Sequence, residues 1–188
     1  FTRIKTLEQA TAIAGQRKIS GFPFHFADPA IAEVLDFNFI DREPNLNGAL
    51  ALLSASRSLT LFGTLLSAGQ QFKVVTASDT IRCHVAGVFN DWSNMHEEFG
   101  VFLILNDAQI STLGYQSDKF SVYGKLNRPS FKTEIESIIK KSISDSEVSY
   151  HLQSFDEIYF GPRVRGENAR HGDSYSVWIL ICIATLII

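Results

Sequence analysis

An α+β fold ending in the start of a transmembrane helix is what this sequence predicts, and three observations carry it. Short strand patterns and short helix patterns are mixed, without the strict alternation that builds a doubly wound sheet. One clean β-α-β pattern occupies the last third of the chain. Residues 178–188 (WILICIATLII) form a charge-free apolar run that directly follows a polar stretch.

Taken in order, residues 6–14 put Leu7, Ala10, Ile13 and Ala14 on one helical face. Thr6 suits the start and Gly15 the stop, so a short helix is expected there. Residues 18–26 alternate loosely through Ile19, Phe22, Phe24 and Phe26, as a half-buried strand does. Asp28 is a good N-cap and Pro29 suits a first helical position, so residues 29–35 read as a short helix. Residues 42–48 form a polar turn region. Residues 49–54 are an apolar strand, and Ser54 or Ser56 caps a helix that runs to a C-terminal Gly63. Residues 71–77 and 81–89 are strands joined tightly enough through Ser78 and Asp79 for a hairpin. The second has apolar residues on both faces, as does a further strand over residues 99–105; residues 90–98 between them are a polar loop. Then come a strand over residues 120–126 and a helix from Arg128-Pro129-Ser130 to about Ile143. Its apolar stripe is Phe131, Ile135, Ile138, Ile139 and Ser142. A strand over residues 148–152 completes the unit.

Composition bounds the function. The chain has 188 residues, 45% hydrophobic and 20% charged, enough for one sizeable core or two small lobes. Seventeen Lys plus Arg against twenty Asp plus Glu give a net charge of −3, with no clustered basic footprint for nucleic acid. The two cysteines, Cys83 and Cys182, cannot form a disulfide framework.

A transmembrane helix needs about 20 apolar residues to cross roughly 30 Å of hydrocarbon. Counting from Tyr175, this sequence offers fourteen. Residues 175–188 therefore read as the start of a transmembrane helix, with Tyr175 and Trp178 suited to the membrane–water boundary. A buried core helix is the other reading of a run this long. The chain opens at Phe1 with no methionine and no signal-peptide pattern, and reads as a piece from the middle of a longer protein.

Several segments together resemble one family. Asp28-Pro29 is followed by Val34-Leu35-Asp36-Phe37-Asn38-Phe39. Residues 52–63 run as a strand, a serine, a helix and Leu61-Phe62-Gly63. His84-Val85-Ala86-Gly87-Val88-Phe89 is a Val-x-Gly-Val strand. Residues 155–160 and His171-Gly172-Asp173 lead into the apolar run. In order and spacing, from about Asp28 to Ile188, they resemble the periplasmic core domain of MacB-like ABC-transporter permeases, a group that includes FtsX-like and LolC-like proteins. The resemblance implies two lobes. Residues 1–26 and 116–174 would form a membrane-proximal βαβ lobe, and residues 27–115 an inserted lobe. It also implies a domain of the bacterial inner membrane that faces the periplasm or cell exterior. Its partners would be an ABC ATPase subunit or domain, a second permease copy, the membrane, and a periplasmic partner or substrate.

The chemistry of enzymes is not evident. There is no phosphate-binding loop. His96-Glu97 lacks the second histidine of a zinc protease, because position 100 is Gly100. His25, His84, His96, His151 and His171 have no ligand spacing, and Asp91, Glu97 and Glu98 read as a solvated loop. Trp92, in that loop, is the aromatic residue expected to be exposed. No catalytic, cofactor-binding or metal-binding residue is predicted, and no cofactor. The leading expectation is a non-catalytic permease domain that couples cytoplasmic ATP hydrolysis to extracytoplasmic export or mechanotransmission. A membrane-anchored sensor or adaptor domain is the alternative, and an anchored hydrolase the third.

Overall fold

The computed structural model of the chain describes residues 1–7, 9–43, 48–77, 79–92, 99–104, 121–126 and 131–142. The strands are β1 (Thr2–Leu7), β2 (Ala10–Ala14), β3 (Arg17–Ile19), β4 (Phe24–Ala27), β5 (Phe39–Arg42), β6 (Ala49–Ser54), β7 (Gln71–Thr76), β8 (Thr80–Phe89), β9 (Val101–Ile104) and β10 (Ser121–Tyr123). The helices are α1 (Ile31–Val34), α2 (Ala55–Phe62) and α3 (Phe131–Ser142). Two compact units divide the chain, Phe1–Lys125 and Leu126–Ile188.

Among the described residues the first unit holds one ten-stranded mixed sheet, ordered β10-β1-β4-β9-β6-β8-β7-β2-β3, with β5 also on β8. β4 with β9 and β6 with β8 are parallel; the other pairs are antiparallel. Connectivity forces this sheet to curl. β1 and β2 lie six steps apart along that order, about 29 Å in a flat sheet. Yet only two residues join Leu7 to Ala10, a reach of about 11 Å at most. The sheet therefore rolls toward an open barrel, and its inner face becomes one core. Leu7, Ala12, Ile19, Phe24, Phe26, Ala51, Leu53, Phe72, Val74, Cys83, Val85, Val101 and Leu103 fill it, with Leu61 of α2 packed against them.

Side chains in a strand alternate faces, and a break in that alternation marks β8. Val85 and Val88, three residues apart, both point into the core. The register with β6 jumps from Ala51↔Val85 to Leu52↔Gly87, so Ala86 is the extra residue of a bulge. Past the bulge, Phe89 faces outward and joins a second cluster with Ile4, Ala27, Ile31, Leu52, Phe99 and Phe102, roofed by α1.

The structure corrects the reading of residues 6–14 as a helix. They are the end of β1 and all of β2, with Gly15 (φ 59°) in the turn to β3. Leu7 and Ala10 share a face because two strands meet there, while β2 itself alternates, burying Ala10 and Ala12. The expected strand over residues 18–26 is two strands, β3 and β4, which pair with different neighbours. Residues 49–54, α2 with its Gly63 end, and the β7–β8 hairpin fall where the sequence placed them. Gly63 takes φ 77°, the left-handed conformation that favours glycine at this helix end. In α3, Ile135 and Ile139 are half-buried and Ile138 is exposed, a narrower stripe than expected. The strand over residues 148–152 and the apolar run 175–188 lie outside the described residues. Among the described residues no helix is long and apolar enough to cross a membrane.

Asp28 is also reassigned. The α1 cap position is Ala30, with no side-chain cap bond. The Asp28 carboxylate instead accepts from the Arg3 backbone N–H (2.8 Å), Nε (3.0 Å) and Nη2 (2.7 Å), tying β4 to β1. These bonds from Arg3 hold the Asp28 carboxyl below its ordinary pKa, outweighing the partial burial that would raise it. A carboxyl so lowered stabilises the fold above its unfolded pKa, and that stability is lost as pH falls through the folded value. The pair is partly exposed, so the expected contribution is about 1 kcal/mol or less. Urea titrations of Asp28→Asn should show a lower plateau near neutral pH and a shallower loss in acid than wild type. Parallel curves would refute the assignment.

Candidate functional site

Three chain segments converge beside α2. β6 ends at Ser54, β8 runs out into Asn90-Asp91-Trp92, and Phe99-Gly100 leads into β9. Ser54, Ser56, Arg57, Asp91, Trp92, Phe99 and Gly100 line a pocket of about 280 Å³. The first amides of a helix lack internal partners and attract anions. Here the chain supplies the anion itself. Asp91 accepts from the Ser56 backbone N–H (2.9 Å) and from Ser56 Oγ (2.8 Å). Ser54 occupies the cap position but makes no side-chain cap bond; its Oγ contacts Ser56 Oγ at 3.1 Å. The capping bond expected from Ser54 or Ser56 thus comes from Asp91, far along the sequence.

The pocket walls are aromatic and cationic. Trp92 packs on Phe37 (4.9 Å), Phe89 (5.2 Å) and Phe99 (6.0 Å) between ring centroids, so it is half-buried as part of the second cluster. The Arg57 guanidinium lies 3.9 Å from the centre of the Phe22 ring. A Cβ at position 100 would come within 2.9 Å of Arg57 Nε, so the glycine lets that side chain pass.

None of these groups forms a nucleophile–base pair. Among the described residues no histidine lines the pocket. His25 is buried between Phe99 (4.9 Å) and Phe102 (5.4 Å), with Nδ1 3.3 Å from Thr6 Oγ1. His84 is half-buried opposite Gln71. Ser58 and Ser67 are fully buried and bonded to each other (2.8 Å), with Ser58 donating to the Thr64 carbonyl (2.6 Å), which pins the loop after α2. Cys83 is free and buried, and desolvation pushes its thiol up to about 12, which leaves it protonated and unreactive at neutral pH. Among the described residues, no three His, Cys, Asp or Glu come close enough to hold a metal. His96, Glu97, Glu98, His151 and His171 lie outside the described residues. What the arrangement does is lock α2 to the ends of β8 and β9. Asp91→Ala should cost about 1 kcal/mol of stability, the usual worth of a helix cap, read as a lower urea midpoint. An unchanged midpoint would show that Asp91 holds nothing.

No protein-family model matches the sequence, and no curated protein matches it. Solved structures do match the fold. A domain of a putative permease protein from Porphyromonas gingivalis superposes with a TM-score of 0.52 at 16% identity, over 76% of this chain and 70% of that one. The periplasmic region of MacB from Actinobacillus actinomycetemcomitans gives 0.51 at 11% identity, over 75% of this chain and 65% of that one. The chain has the fold of these permease domains. The extracellular domain of the noncanonic ABC-type transporter YknZ from Gram-positive bacteria matches at 0.48 and 11%, over 71% and 68% of the two chains. The permease-domain fold resembled by the sequence is thus met by the structure. At such identities the likeness extends to fold alone. The Asp91–Ser56 lock therefore stands on this chain's own geometry.

Proposed function

We propose that this chain is a non-catalytic extracytoplasmic domain of a MacB-type ABC-transporter permease. It would face the periplasm or cell exterior and pass movement driven by cytoplasmic ATP hydrolysis to an exported substrate or periplasmic partner. The observation that carries the reading is the fold likeness to the P. gingivalis permease domain and the MacB periplasmic region. The apolar run 175–188 supports it as the start of the membrane helix that would follow. A second permease copy and an ABC ATPase are the partners. Force would travel as rigid-body movement, which suits a rolled sheet with a densely packed core.

The test is made on the full-length gene product. Single cysteines placed along it are labelled from each side of the membrane, and co-purifying proteins are identified. Four membrane helices, with this domain outside between the first and second, and a co-purifying ATPase are expected. One helix leading to a cytoplasmic signalling domain would overturn the reading in favour of an anchored sensor.

A further inference from the structure

The outer face of the first unit is roofed by α1 over one part and open over another. On the open part, register places four residues in one row across four strands. Lys18 of β3 pairs with Ile13 of β2, Ile13 with Lys73 of β7, and Lys73 with Arg82 of β8. Directly paired residues point to the same side. Lys18, Lys73 and Arg82 are exposed and Ile13 is half-buried. β2, β3, β7 and β8 contain no acidic residue. The Arg3–Asp28 and Lys125–Asp36 ion pairs lie away from this row.

Lys18 alone has an ordinary explanation, because β3 is an edge strand and lysines blunt edges. Lys73 and Arg82 lie on interior strands. Like charges directly opposite each other destabilise a sheet. The chain as a whole carries −3, so this is positive charge concentrated against the overall sign. The next row adds exposed Val75, paired with Thr11 and Thr80. Cations set beside the exposed Val75 and the half-buried Ile13, on the open face of a sheet, match a planar array of negative headgroups above hydrocarbon.

We propose that the Lys18–Ile13–Lys73–Arg82 face docks on an anionic lipid surface. The inference rests on the reading above that the domain works beside a bilayer. Lysine and arginine contact headgroup phosphates, Ile13 and Val75 sit at the boundary, and salt weakens the contact by screening.

The test uses the whole 188-residue chain and vesicle flotation. Vesicles are neutral phosphatidylcholine, or the same lipid with phosphatidylglycerol added. Binding to neutral vesicles reads the apolar run 175–188, and its absence would count against the membrane reading alone. The added binding on anionic vesicles reads the row. Lys73→Glu with Arg82→Glu should lose that increment by roughly 25-fold or more, from about fivefold per cation. Lys140→Glu with Lys141→Glu makes the same charge change elsewhere and should keep it. The neutral pair Lys73→Gln with Arg82→Gln should fall between and guards against misfolding, which the urea midpoint checks directly. High salt should abolish the increment. No anionic increment in wild type would overturn the proposal and point to an acidic protein partner. So would equal losses in the two charge-reversed pairs.

Discussion

Phe102→Ala is expected to cost about 3–5 kcal/mol of stability, the range for removing a fully buried aromatic ring. Phe102 is 0% exposed, at the centre of the second cluster. Its ring centroid lies 5.2 Å from Phe99, 5.4 Å from His25, 5.5 Å from Phe37 and 6.1 Å from Phe89. Those neighbours come from β4, β8, the segment before β5 and the segment before β9, and each is fixed by its own strand or packing. The cavity cannot collapse from one side, so the loss should fall high in the range. The urea midpoint should drop with little change in slope. Leu59→Ala, on the exposed side of α2, should move it by less than about 0.5 kcal/mol. Equal effects at the two sites would refute the cluster.

Gly87→Val should cost about 1–3 kcal/mol through overpacking. A Cβ at position 87 would lie 2.7 Å from Phe39 Cε1 and 3.3 Å from the Asp41 carbonyl. The Phe39 ring is the flexible half of that obstacle, though it is held by Phe37 (5.8 Å) and by Arg42 stacked at 4.9 Å. The Asp41 carbonyl belongs to the paired backbone of β5 and has little freedom. A double-mutant cycle with Phe39→Ala separates the two parts. Relief of some but not all of the cost is expected. Full additivity would show that the ring and position 87 do not touch.

The parts of this fold legible in the sequence are those whose signals are local. Residues 49–54, the Gly63 end of α2 and the β7–β8 hairpin each depend on a few adjacent residues, and each was read correctly. Residues 6–14 were not. Leu7, Ala10, Ile13 and Ala14 fit helical spacing, and alanine favours helix, but pairing of β1 with β4 and of β2 with β7 overrides that preference. The same holds for Asp28, which suits a cap in sequence but finds Arg3 in space. At the pocket, Ser56 and Asp91 were both visible as polar residues, yet nothing local joins residues 35 positions apart. The bulge at Ala86 was hidden because β8 is apolar on both faces from Val85 onward, so a change of side leaves no mark. The cationic row has no sequence signature either, since its three cations come from three separate strands.

The placement of β1 has a consequence for how the molecule comes to exist. This first strand lies between β4 and β10, with Thr2 paired to Tyr123. Its outer partner is therefore the last strand of the unit to be synthesised. A growing chain must hold β1 half-paired until residues 121–123 emerge, and the loop closed by that pairing is among the longest available to the unit. Sheets built from such distant pairings fold in milliseconds to seconds rather than microseconds. Completion of the sheet therefore waits on its last strand, and that long-range closure, not the local hairpins, sets the pace at which the unit becomes whole.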